Sequence, residues 1–240
     1  MARSIFLTEP LDVLVVSSGG VGTTFLMKAI GQHLRVNDPD NKDGLKHLPI
    51  PPIPRGVTPR VIYVYGDPVM ACLSLFRRKY HHTQSKITQH FYPPEYIVSF
   101  EDTLEDYLVQ PREGFFFQRH FENWRDTPTA YPVLFMRYAS IHDELPRLAS
   151  YLELGEDFVA GFPPRRERKS SLEELPPATQ EKLQQRYGPW QRAQADLRDA
   201  WVKPPTSSGW HFSAPYRRAY YEAARRQVPA LVNFVKKRRQ

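Results

Sequence analysis

Ser17-Ser18-Gly19-Gly20-Val21-Gly22-Thr23-Thr24 joins an apolar run to a helical pattern, and a stretch of that kind can hold phosphate. Glycines let phosphate oxygens approach the backbone. Unpaired N–H groups at a helix start point at the ligand, and the helix dipole favours negative charge there. Thr23 and Thr24 add hydroxyl donors. The lysine that ATP- and GTP-binding loops carry before their final Ser or Thr is missing, which argues against an ordinary ATPase or GTPase. A tight glycine turn with no ligand is the other reading of the same residues. Downstream, Lys46-His47-Leu48-Pro49 offers an imidazole whose ordinary pKa of about 6.5 suits it to accept a proton from a hydroxyl, or else an ordinary loop histidine. Arg165-Arg166-Glu167-Arg168-Lys169 offers a second phosphate contact or a solvated basic stretch. The adjacent His81 and His82 read as surface residues at a helix end, since no cysteine or carboxylate cluster accompanies them toward a metal.

The elements that must position these residues follow the hydropathy pattern. Residues 12–16 and 61–65 are short, continuous, β-branched runs of the kind buried on both faces of a parallel sheet. Each leads through a turn into a helical pattern, at 23–34 and 69–80, and residues 133–138 followed by 141–154 repeat the unit. Three strand-turn-helix units imply an α/β fold with a central parallel sheet in three layers. Residues 115–124 read as an aromatic-rich helix packed on that sheet, and the Pro-rich stretch 37–59 as an irregular crossover. From 163 onward strands disappear, and residues 177–187, 191–201 and 215–237 read as helices.

Composition bounds the possibilities. The length of 240 residues fits one domain, 1–240, with a helical C-terminal part from about 163, and the 41% hydrophobic content supplies a core. A formal charge of +7 favours anionic partners. The single cysteine, Cys72, rules out an intrachain disulfide and fits a reducing compartment and a buried, inert thiol. No apolar run approaches the ~20 residues of a membrane span, so the expectation is a soluble, cytoplasmic protein. The basic tail, Arg225-Arg226 through Lys236-Lys237-Arg238-Arg239, reads as a solvated helix face, with weak membrane-surface contact as the alternative and no nucleic acid expected.

Six segments in order resemble the sulfotransferases that use 3′-phosphoadenosine-5′-phosphosulfate (PAPS). Gly19-Gly20-Val21-Gly22-Thr23-Thr24-Phe25 is similar to the family's PKSGTTW loop, and Lys46-His47-Leu48-Pro49 to its KTHLP segment. Residues 61–68 continuing through Ser74 and Phe76 resemble its strand and 3′-phosphate motif, residues 117–124 its segment before the third strand, Phe135-Met136-Arg137-Tyr138-Ala139-Ser140 its LxYEDL, and Arg168-Lys169-Ser170 its RKG. The resemblance implies that Gly19, Gly20, Val21, Gly22, Thr23 and Thr24 cradle the 5′-phosphosulfate, that Phe25 stacks on adenine and that Tyr138 contacts the adenine edge. It implies that Ser74, Arg168 and Lys169 hold the 3′-phosphate. His47 would be the general base, with Thr23 beside it in catalysis, and the products would be the sulfated small-molecule or glycan acceptor and 3′-phosphoadenosine 5′-phosphate (PAP). Two positions depart: Gly20 stands where the family has a loop lysine or arginine, and Gly66 where its RDP motif has arginine. Either Lys28, Lys46, Arg77 or Arg78 substitutes, or the donor or activity has changed. The rival readings are a catalytically silent nucleotide-binding relative and a P-loop phosphotransferase with Asp67 as its Mg²⁺ carboxylate.

Overall fold

The computed structural model describes residues 6–7, 10–54, 56–88, 97–165 and 171–206. In chain order these form β1 (Phe6–Leu7), β2 (Val13–Val16), α1 (Thr23–Ile30), β3 (Ile53–Pro54), β4 (Arg60–Tyr65), α2 (Pro68–Arg77), α3 (His81–Thr88), α4 (Leu104–Val109), α5 (Phe117–Asp126), β5 (Val133–Arg137), α6 (Leu145–Leu152), α7 (Glu156–Ala160), α8 (Pro177–Ala195) and β6 (Ala200–Lys203).

The main sheet runs β2-β4-β5-β6, and β1 pairs separately with β3. β2, β4 and β5 are parallel, with Val13 opposite Arg60 and Val61 opposite Val133. Residues 13–16, 61–65 and 133–136 are all buried. Because successive side chains leave a strand on opposite faces, such runs are possible only where both faces are covered. The mixed α/β fold with a mostly parallel sheet therefore follows from the β-branched runs themselves.

Three boundaries differ from the sequence expectation. The helical pattern at 69–80 stops at Arg77, because Lys79 adopts a left-handed conformation (φ 53°) and turns the chain into α3 at His81. α6 begins not at Ile141 but only at Leu145, where Pro146 in the first turn suits a helix start, and Tyr138, expected to end the strand, opens a 3-10 turn at 138–140. The largest difference lies after residue 163. Gly188-Pro189 reads as a break between two helices, yet α8 runs through it to Ala195. A proline inside a helix costs about 3 kcal/mol. Burial of Leu183, Tyr187 and Trp190, worth about 1.5–3 kcal/mol for each large apolar side chain, offsets it.

The helix expected at 191–201 gives way at its end to β6, whose residues 200–203 run antiparallel to β5 with Phe135 opposite Trp201. The two rings stack at 4.8 Å, and Arg137 closes the strand's start with a 2.6 Å ion pair to Asp199. The Lys203 ammonium donates to the carbonyls of Trp124 and Thr127 at 2.8 and 2.7 Å, tying β6 to the end of α5. These side-chain contacts are long-range, so local pattern did not reveal them. The expected helix at 215–237 lies outside the described residues.

α8 is held to α4 by a polar cluster. Tyr107 donates its hydroxyl proton to the Tyr187 oxygen at 2.5 Å, and Tyr187 donates to Glu113 Oε1 at 3.2 Å. Glu113 Oε1 also accepts from the Phe115 amide at 2.9 Å. Arg186 covers the Tyr107 ring and donates to backbone carbonyls at the end of α4. Burial pushes the Glu113 carboxyl up to about 7, only partly opposed by these hydrogen bonds. The native state therefore keeps a proton between about pH 4.5 and 7 that the unfolded chain releases, and this group's contribution to stability falls as pH rises through that window. Glu113→Gln is expected to gain stability relative to wild type between pH 5 and pH 7.5. Paired thermal melts at the two pH values check this, and a constant difference between the two proteins would count against it.

Candidate functional site

β2 delivers the chain to the loop, and α1 starts at Thr23 with Gly22 as its N-cap. No side chain caps this end and no acidic residue stands in the first turn, so neither would compete with an anion there. Gly20 and Gly22 both have left-handed backbones, φ 74° and 77°. A Cβ on Gly22 would sit 2.4 Å from the Tyr138 ring, and one on Gly20 would sit 2.7 Å from the Ala71 carbonyl of α2. The loop therefore lies directly on α2 and on the turn after β5. That contact explains why position 20 carries no lysine.

The segment bearing His47 is drawn to the same place by Ser17. The Ser17 amide donates to the Lys46 carbonyl at 3.0 Å, and His47 Nδ1 donates to the Ser17 carbonyl at 2.8 Å. A carbonyl only accepts, so Nδ1 carries the proton and Nε2 is the basic atom of the neutral ring. From behind, Trp124 Nε1 donates to the Leu48 carbonyl at 2.7 Å and Asn123 Nδ2 to the Pro49 carbonyl at 3.1 Å, fixing the segment to α5. His120 lies in the same layer, hydrogen-bonded to Tyr63 at 2.8 Å, and burial pulls its pKa down to about 4.

These elements surround a cavity of about 790 Å³. Gly20, Gly22, Thr23, Thr24, Phe25, His47 and Tyr138 all line it, so the loop and the histidine do converge. Thr23 Oγ1 lies 3.3 Å from Ser17 Oγ at the buried side of the loop. Thr24 Oγ1 accepts from Lys46 Nζ at 2.6 Å, and Lys46 donates also to the Pro39 carbonyl at 2.7 Å. An ammonium has three N–H donors, and these bonds use two. Burial, together with the charge of Arg78, pulls the Lys46 pKa down to about 8 against the opposing pull of Asp38, Asp40 and Asp43. Lys28 and Arg78 line the cavity too, whereas Arg77 does not. Three of the four cations near the loop in sequence thus reach it. The Phe25 ring meets Phe162 edge-on at 5.7 Å and His142 at 6.1 Å, forming an aromatic wall.

Other expected residues stand apart. Gly19 and Val21 belong to the loop but lie behind the lining, and Val21 packs toward Gly66, where a Cβ would come within 3.3 Å of its methyl. Ser74 is also outside the lining. Its carbonyl accepts from Arg78 Nε at 3.0 Å, so it braces a cation that does face the cavity. Arg168 and Lys169 lie outside the described residues. Asp67 is the N-cap of α2, accepting from the Val69 and Met70 amides at 2.8 and 3.2 Å, and its second oxygen accepts from Gln191 at 2.8 Å. That carboxylate is committed to the fold. Cys72 is fully buried, and burial pushes its thiol up. His81, expected on the surface, is buried against Phe76 with ring centroids 4.4 Å apart, and both His81 and His82 donate to backbone carbonyls. Among the described residues no cluster of three metal-ligating side chains occurs, and no helix is long and apolar enough to cross a membrane.

Comparisons with protein-family models, with curated proteins and with solved structures found no match to this chain.

Two outcomes follow from the packing and the charges. Gly20→Lys is expected to lower stability by about 1–3 kcal/mol through its left-handed backbone and the approach to Ala71, and to bring no gain in anion affinity. Thermal denaturation and a phosphate titration check it. Anion affinity is expected to fall as pH rises past about 8, because Lys46 then loses the proton that attracts the ligand. Lys46→Met should both weaken binding and flatten that dependence, read by titrating PAP between pH 7 and 9.

Proposed function

We propose that this protein is a sulfotransferase that moves a sulfuryl group from PAPS to a hydroxyl or amine of a small-molecule or glycan acceptor, leaving PAP. The observation that carries the reading is that Lys46 donates to Thr24 at the end of the loop while its neighbour His47 lines the same cavity. A cation and a base thus meet beside a helix N-terminus, even though the loop itself bears no lysine.

The residues present fit such a donor. The start of α1, Thr23, Thr24 and the third N–H of Lys46 would hold the phosphosulfate, with Lys28 and Arg78 supplying further positive charge. The wall containing Phe25, with Tyr138 against Gly22, would take the adenine. A cavity of about 790 Å³ is in the size range of nucleotide pockets. When bound, PAPS supplies an activated sulfuryl group, and direct transfer of that group requires no metal. His47 would take the acceptor's proton on Nε2, held in the necessary tautomer by the Ser17 carbonyl. Lys46 would counter the charge that grows on the leaving phosphate, a kind of donor whose loss costs on the order of 10²–10³ in rate. No observation favours a phosphotransferase as a second reading, because Asp67 is engaged by α2 and Gln191.

Calorimetric titration with PAP, against ATP plus Mg²⁺, tests the proposal. PAP is expected to bind and ATP to bind more weakly; no PAP binding at millimolar concentration overturns it. His47→Ala is expected to reduce turnover by about 10²–10⁴ with PAP affinity nearly unchanged. Nucleotide binding without any turnover in the wild type would instead mark a silent relative.

A further inference from the structure

Arg78 and Tyr80 flank Lys79, the left-handed residue between α2 and α3, and both line the cavity while Lys79 does not. Arg78 is pinned by Ser74, whose carbonyl accepts its amide at 3.3 Å and its Nε at 3.0 Å. A guanidinium has five N–H donors, and this side chain uses one. The four at its far end can meet two oxygens of one oxyanion side by side. Among the described residues Arg78 makes no ion pair, and the Tyr80 hydroxyl makes no hydrogen bond. Arg78 is exposed and Tyr80 half-buried, so both stay open to a ligand. Tyr80 lies close enough to oppose part of the lowering that burial and Arg77 impose on the Arg78 pKa. Asp40, the one carboxylate among the described lining residues, acts on Lys46 instead.

These groups stand at the His47 end of the loop. Tyr80 is tied to Gln84 on α3, whose amide donates to the Tyr80 carbonyl at 2.9 Å, and Gln84 Nε2 donates to the Ser18 carbonyl at 2.8 Å. His47 holds the preceding carbonyl, that of Ser17. The Tyr138 ring, proposed to meet adenine, abuts Gly22 at the other end of the loop. Lys46, held on Thr24, feels the charge of Arg78. The phosphosulfate of the donor answers Lys46 and the start of α1, and it leaves the guanidinium at the His47 end without a counter-charge. We infer that Arg78 and Tyr80 form a subsite for an anionic group on the acceptor, a carboxylate or phosphate carried apart from the hydroxyl or amine that reacts.

The inference rests on the sulfuryl-transfer reading and names the acceptor class for it. Arg78 and Tyr80 take no part in bond making. The guanidinium holds two oxygens of the anion and the phenol donates to one of them, which orients the acceptor with its reacting group toward His47. Specificity follows from the same donors. A neutral acceptor leaves the guanidinium uncompensated in a cavity that also contains Lys28 and Lys46, whereas an anionic acceptor offsets that charge.

The test titrates PAP-saturated protein at pH 7 with 4-hydroxybenzoate, 4-hydroxyphenyl phosphate and the neutral 4-hydroxybenzamide, read by calorimetry. At least one anion is expected to bind about tenfold or more tighter than the amide, the size of hydrogen bonds to a charged group. The anion that does so identifies the oxyanion recognised. Arg78→Met should abolish the preference and leave PAP affinity within about threefold of wild type. Tyr80→Phe should weaken the preferred anion by about threefold or more. Lys79→Met removes an equal charge beside the cavity and should keep the preference. An equal loss in Lys79→Met would reduce the effect to general charge and overturn the inference. So would the absence of any preference, an unchanged anion affinity in Arg78→Met or Tyr80→Phe, or a fall of about tenfold in PAP affinity in Arg78→Met, which would place Arg78 on the nucleotide. Failure of wild type to bind PAP would overturn the parent reading, and this one with it; PAP binding without an anion preference would overturn this one alone.

Discussion

Ser17 is the point on which the site depends. It is fully buried at the end of β2, and all of its polar groups are engaged. Its amide donates to the Lys46 carbonyl, its carbonyl accepts from His47, and its hydroxyl accepts from the Gly19 amide and meets Thr23. One residue thus joins the glycine loop, the start of α1 and the segment that carries Lys46 and His47. Because buried polar groups must be paired, moving any of these partners leaves another unsatisfied at a cost of about 1–3 kcal/mol. The arrangement is rigid for that reason, and rigidity is what a preorganised site requires.

The electrostatics follow from this convergence. Lys46, Lys28 and Arg78 face one cavity, and Arg78 helps to lower the Lys46 pKa. Such a cluster raises the energy of the empty site and lowers that of a site holding an anion. Asp38, Asp40 and Asp43 on the crossover soften the repulsion. Asp38 and Asp43 are themselves occupied in shaping the crossover, accepting from the backbone amides of Asp40 and Leu45 at 2.7 and 2.9 Å. The Pro-rich stretch is therefore ordered by hydrogen bonds to its own carboxylates, and this order brings Lys46 to the loop.

The second half of the chain acts as the brace. α5 grips the carbonyls of Leu48 and Pro49. β6 in turn holds α5 through Lys203, and α8 closes on α4 through Tyr187, on α5 through Trp190 against Phe121, and on the N-cap of α2 through Gln191. The positions of His47 and Lys46 are thereby linked to elements more than a hundred residues away.

The amino-acid sequence by itself determined the three parallel strands, because runs such as Val13–Val16 can only be buried on both faces, and it determined the glycine loop, because left-handed backbone and close packing at positions 20 and 22 exclude side chains. It also determined the order of loop, histidine and following strand. Local pattern misled at Gly188-Pro189, where packing overrides a helix breaker, and at residues 200–203, whose strand exists only because β5 offers an edge. In α3 the buried positions His81, Gln84, Ser85 and Thr88 follow helical spacing but are polar, so a search for apolar periodicity passes over them and over Gln84 in particular. Only the tertiary structure decided that the charge absent from position 20 returns through Lys46, twenty-two positions beyond Thr24, because that contact is made by a side chain reaching across from another segment.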